Sequence, residues 1–107
     1  MSVRNVQRIQ DEVAEYWPNV RWVESTGSTN ADLLNDKAAP GTVLIADEQT
    51  AGKGRLGRQW VTPKDSQLAM SMVVEVPETP PPFGLLSIAP GVAVTDVVPQ
   101  ARLKWPN

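Results

Sequence analysis

Between Gln49 and Trp60 the chain reads Gln-Thr-Ala-Gly-Lys-Gly-Arg-Leu-Gly-Arg-Gln-Trp. Lys53, Arg55 and Arg58 place three cations within six residues, with no acid among them, and Gly52, Gly54 and Gly57 are interleaved. Glycine permits close backbone approach and positive φ, so main-chain N–H groups can face an anion. The cations add charge-assisted donors. Such a segment suits a phosphate or carboxylate held close to the main chain, and Trp60 offers a flat face for a ring. The same residues also fit a solvated hairpin tip, with Trp60 as a core residue at a strand start. The segment is neither of the common phosphate-loop patterns, Gly-x-x-x-x-Gly-Lys-Ser/Thr or Gly-x-Gly-x-x-Gly at a strand–helix junction. A nucleic-acid hairpin is a third reading, weakened by a net charge of −2 and the lack of further basic runs.

Two shorter segments carry polar groups of interest. Ser28-Thr29-Asn30 lies where a turn enters a helix, and Thr29 with Asp32 fits a capping pair. Lys104-Trp105-Pro106-Asn107 ends the chain. There are no cysteines and no histidines. That excludes disulfides, thiolate or imidazole metal sites, and Ser-His-Asp or Cys-His catalysis.

The elements that must hold these segments follow from periodicity. Val6, Ile9, Val13 and Tyr16 or Trp17 recur at helical steps, predicting an amphipathic helix over 3–17 with Ser2 as cap and Pro18 as stop. A short strand is expected over 20–24, a helix after Thr29, and a buried strand over 42–47. Residues 48–59 are expected to form a mobile loop. Residues 67–76 alternate, with Leu68, Met70, Met72, Val74 and Val76 on one side and Ala69, Ser71, Val73 and Glu75 on the other, which predicts a strand. Residues 77–82 hold four prolines and act as a connector. A buried helix is expected over 83–98, its regular part starting near Pro90, then a strand over 101–105. This order predicts an α+β fold, a mixed β-sheet flanked by helices. A last strand with nothing to cover it implies that residues 1–107 are an incomplete part of a domain. With 107 residues, 41% of them apolar, the composition is ordinary for a globular chain. Nothing approaches 18 consecutive apolar residues, so no membrane span is expected and the cytoplasm is the default compartment.

Ser28-Thr29-Asn30, Gln49, the run Gly52 to Trp60, and Lys104-Trp105-Pro106-Asn107 resemble, in order and spacing, the motifs of biotin–protein ligases. The resemblance covers residues from about 22 onward. It implies a catalytic core similar to that of class II aminoacyl-tRNA synthetases, and a two-step reaction. Biotin and ATP, with Mg2+, give biotinyl-5′-adenylate; a lysine of a biotin carboxyl carrier domain of acetyl-CoA carboxylase or a related carboxylase then takes the biotinyl group. By the same resemblance, Ser28, Thr29, Asn30 and Gln49 meet biotin, with Asn30 an orienting residue. Gly52, Lys53, Gly54 and Arg55 clamp the carboxylate and phosphate, with Arg55 and Lys53 the catalytic cations. Arg58, Trp60 and Asn107 lie on the nucleotide side, although Arg58 also suits a structural ion pair. Lys53 stands where arginine is common in the family, keeping the charge but losing the bidentate fork.

The family pattern continues beyond Asn107 with an aspartate and a later lysine, further strands and a small β-domain. The chain alone is therefore expected to be poorly active. Only 24 residues precede Ser25, too few for the helix-turn-helix domain of some members, so no specific DNA binding is expected. The alternatives are a lipoate–protein ligase-like enzyme and a non-catalytic remnant.

Overall fold

The computed structural model describes residues 3–79, 90 and 92–102, without the side chains of Val3, Arg4 and Arg55. The chain divides into two compact units, Met1–Glu75 and Val76–Asn107.

The first unit is an α+β layer. Its elements are α1 (Val3–Val13), β1 (Asn19–Thr26), α2 (Thr29–Asn35), β2 (Thr42–Lys53), β3 (Gln59–Thr62) and β4 (Ala69–Met72). The sheet is mixed. β1 runs parallel to β2 from Asn19↔Thr42 to Thr26↔Gln49, while β3 and β4 are antiparallel to β2. A strand has two edges. Since β1 takes one, β4 and β3 share the other, β4 against Val43–Ala46 and β3 against Gln49–Lys53.

β2 is central for a chemical reason. Residues 42–47 are buried throughout, as expected of a strand covered on both faces. Val20, Val43 and Ile45 form the core beneath α1, which contributes Ile9 and Val13, with Trp17 and Trp22 alongside. Burial of Val20, Val43 and Ile45 stabilises the fold by roughly 1.5–3 kcal/mol each. Gln10 Nε2 donates to the Val20 carbonyl at 2.7 Å, tying α1 to β1. The last turn of α1 closes with Trp17 N–H on the Val13 carbonyl, and Pro18 prevents continuation. On the opposite face Leu44, Ala46, Ala69 and Ser71 are buried, as is Leu33 of α2, which packs on β2 and β4.

The helix expected over 3–17 ends at Val13 and gives way to turns over 14–16. Three further expectations change in this unit. The expected mobile loop over 48–59 is mostly strand: β2 continues to Lys53 and β3 begins at Gln59, so the basic motif is a β-hairpin. The extension is possible because Glu48 and Gln49 pair with Ser25 and Thr26 on one edge while Gln49 pairs with Thr62 on the other. Ser25 Oγ adds a 2.6 Å bond to Glu48. The expected strand over 67–76 shrinks to Ala69–Met72, since β2 offers partners only for Val43–Ala46 there. Its alternation holds, and the small residues Ala69 and Ser71 face inward while Met70 and Met72 remain half exposed. Finally, the cap of α2 is Ser28, not Thr29: Ser28 Oγ accepts from the Ala31 N–H at 3.2 Å. Asp32 instead accepts from the Thr26 hydroxyl.

In the second unit, residues 92–97 are helical and Val98 N–H reaches the Val94 carbonyl at 2.8 Å. Pro90 also has helical conformation, the start expected for it. Ala101 and Arg102 are not strand. The remainder of the helix expected over 83–98, most of the strand over 101–105, and the capping role of Ser2 lie outside the described residues.

Candidate ligand cleft

Three segments distant in sequence converge in the first unit. The start of α2, the middle of β2 and the hairpin strand β3 line one cleft of about 540 Å³. Ser28, Thr29, Asn30, Gln49, Gly52, Lys53 and Trp60, expected from the sequence, are all on its wall.

A β-bulge makes this convergence possible. Gln49 pairs with Thr62 and Gly52 with Trp60, so three steps on β2 match two on β3. In a regular strand, residues three apart would point to opposite faces. The extra residue reverses that parity, and Gln49, Gly52, Trp60 and Thr62 all reach the same cleft. Gly52 is required there by space. A Cβ at Gly52 would overlap Gln49 Nε2 and lie 2.7 Å from the Trp60 carbonyl oxygen.

The polar end is tightly bonded. Thr29 is buried, and its backbone N–H, at the start of α2, donates to Gln49 Oε1 at 2.9 Å. The Thr29 hydroxyl lies 2.7 Å from Ser71 Oγ and 3.3 Å from Gln49 Oε1. Ser71 in turn donates to Asn30 Oδ1. This end can match the donors and acceptors of a small neutral polar group. Lys53, exposed on the wall of the same cleft, supplies a positive charge, and half-exposed Trp60 supplies a ring face.

The hairpin tip is turned by local backbone chemistry. Gly54 N–H donates to the Arg58 carbonyl, Arg55–Gly57 form a short helical turn, and Gly57 has φ +75. Leu56 adopts φ 59 and is almost fully exposed. Gly54 and Arg58 belong to this tip and are not among the residues lining the cleft. Among the described residues Arg58 makes no ion pair. The Arg55 side chain and Asn107, together with Lys104, Trp105 and Pro106, lie outside what is described.

Sequence reading missed the contributions of Thr62, Gln67, Met70 and Ser71 to the wall. Ser71 was placed on one side of its strand by alternation, but nothing local indicated that this side meets the start of α2. Among the described residues, no group of three or more His, Cys, Asp or Glu could hold a metal, and no helix is long and apolar enough to cross a membrane.

A mixed sheet flanked by helices, with a cleft between a helix start and a basic hairpin, defines an α+β domain with a candidate ligand cleft. More particularly, the chain belongs to the biotin/lipoate A/B protein ligase family, whose model matches residues 20–107. It is 45% identical over 104 residues to a biotin–[acetyl-CoA-carboxylase] ligase of Mycobacterium tuberculosis, covering 85% of this chain and 39% of that protein. A protein of the same name from Paracoccus denitrificans is 39% identical, covering 77% of this chain and 38% of its own length. The bifunctional ligase/repressor BirA of Escherichia coli is 34% identical, covering 75% and 27%. The chain thus spans about two fifths or less of the length of these relatives.

Proposed function

We propose that the polypeptide carrying this chain is a biotin–[acetyl-CoA-carboxylase] ligase, and that residues 1–107 form the amino-terminal part of its catalytic domain, holding biotin and the adenylate. The observation that carries this reading is the shared cleft. Thr29 and Gln49, joined by a hydrogen bond, line the same cleft as Lys53 and Trp60.

In the first step a biotin carboxylate oxygen attacks the α-phosphorus of ATP, and pyrophosphate leaves. The reactants are both anions, so bringing them together is the electrostatic problem. Ser28, Thr29, Asn30 and Gln49 fix the ureido end of biotin, which sets where its carboxylate lies. Gly52, Gly54 and the hairpin main chain, with Lys53 and Arg55, oppose the charge that gathers at the carboxylate and phosphate. Arg58, Trp60 and Asn107 serve the nucleotide. Mg2+ enters this reading as the counter-ion that ATP carries. In the second step the amine of a carrier-domain lysine attacks the acyl carbon, an amide forms, and AMP leaves. The hairpin tip excludes water from the mixed anhydride between the two steps. The reading places the protein in the cytoplasm, with its substrates.

The test is direct. Incubation of the polypeptide with biotin and ATP is expected to give biotinyl-5′-adenylate by mass spectrometry, and lipoic acid in place of biotin is expected to give far less acyl adenylate. No adenylate from either acid, or preference for lipoic acid, would refute the assignment.

A further inference from the structure

We infer that Ser71, on β4, is a positioning residue that sets the hydrogen-bonding polarity of the ureido end of the cleft. The inference rests on the biotin reading above.

The reasoning is a count of protons. Ser71 is buried and carries one hydroxyl proton, which it gives to Asn30 Oδ1. Its oxygen is then an acceptor toward Thr29 Oγ1, 2.7 Å away, so Thr29 must be the donor in that pair. Thr29 also has only one hydroxyl proton. The alternative acceptor, Gln49 Oε1, is 3.3 Å away, is already held by the Thr29 backbone N–H at 2.9 Å, and loses the competition to the shorter contact.

Three consequences follow for a ligand. The Thr29 hydroxyl presents lone pairs only, so it accepts from a ligand N–H. With Oδ1 committed to Ser71, Asn30 offers its NH2 as donor. With Oε1 committed to Thr29, Gln49 likewise offers its NH2, which lies against Gly52. Acceptor and donors thus stand together, which is the complement of a urea, with its N–H donors and single carbonyl acceptor. Removing the Ser71 hydroxyl frees the Thr29 proton for Gln49 and releases Asn30 to turn, and the pattern is lost.

The experiment uses the longest natural polypeptide that carries this chain. Ser71→Ala is expected to raise the KM for biotin about tenfold, the scale of one lost hydrogen bond. The KM for ATP and kcat should change less than about twofold, because the phosphate side of the cleft is untouched. Ser71→Thr keeps the hydroxyl and is expected to restore the biotin KM. The double variant Ser71→Ala/Thr29→Val should lose less than the product of the single losses, because Ser71 acts partly through Thr29. Equal rises in both KM values, no rescue by threonine, or a fully multiplicative double variant would overturn the positioning role while leaving the ligase reading intact. Failure of the unsubstituted protein to bind biotin would overturn both.

Discussion

Replacing Gly52 by alanine is the most quantitative challenge to this geometry. The added methyl group is smaller than any other side-chain change, and alanine is acceptable in a strand. The loss must therefore come from the space at this one bulge. The Trp60 carbonyl oxygen would sit 2.7 Å from the new Cβ, and must retreat by about 0.7 Å to reach ordinary contact. It belongs to the main chain of β3, paired to β2 at this register, so it moves only with the hairpin. Overpacking of this kind costs about 1–3 kcal/mol. Gln49 Nε2 must also swing aside, which breaks the 2.9 Å bond from Thr29 N–H to Gln49 Oε1 at a cost of about 0.5–1.5 kcal/mol. Some of this falls on stability and some on the ligand-competent arrangement, so biotin affinity is expected to fall roughly 10- to 100-fold. Titration calorimetry on the two proteins measures it. Gly27→Ala is the control, since its Cβ would meet only Ala51 Cβ at 3.8 Å. A Gly52→Ala protein that binds biotin as tightly as the parent, with the same thermal midpoint, would refute the close-approach argument.

Further outcomes are expected from the same structure. Ser28→Ala should cost about 0.5–2 kcal/mol in urea denaturation through loss of the α2 cap, and Ser28→Asp should recover most of it. Ile45→Ala, at the centre of the core beneath α1, should cost about 2–5 kcal/mol, and a smaller loss would mean that α1 does not cover β2. Lys53→Ala should weaken both biotin and ATP or adenylate binding, each with a reduced dependence on ionic strength, and unchanged affinity for both would contradict its place in the clamp. Glu24, by accepting a hydrogen bond from Lys64, holds the Lys64 ammonium above the ordinary lysine value of 10.5. The folded-state value is raised, so the pair stabilises the fold below that pH and its contribution fades as pH climbs past the raised value. The difference in thermal midpoint between the parent and Lys64→Met should therefore vanish at strongly alkaline pH; a difference that persists there would contradict it.

The helices and the central strand were legible because their patterns are local. Val6, Ile9 and Val13 recur at helical steps, and β-branched residues crowd the start of β2. The hairpin was not legible as strand. Glycines weaken strand propensity, and what extends β2 to Lys53 is pairing with β1 and β3, which no local pattern records. The bulge at Gln49–Gly52 was hidden for the same reason, since it exists only relative to β3. In the cleft, Ser28, Thr29, Asn30, Gln49, Gly52, Lys53 and Trp60 were found as residues, but only by motif. Why they meet required the bulge and the register. Ser71 could not be found, because its importance lies in two hydrogen bonds that span more than forty residues of sequence.

The most direct measurement of the central claim is a biotin titration followed by amide and side-chain NMR. Biotin is expected to perturb the Thr29 and Gly52 amides, the Gln49 and Asn30 side-chain amides and the Trp60 indole, because these groups share one cleft. Perturbations confined to the groove beside Leu34 and Val74, with the Thr29–Gln49–Gly52 set silent, would contradict the account.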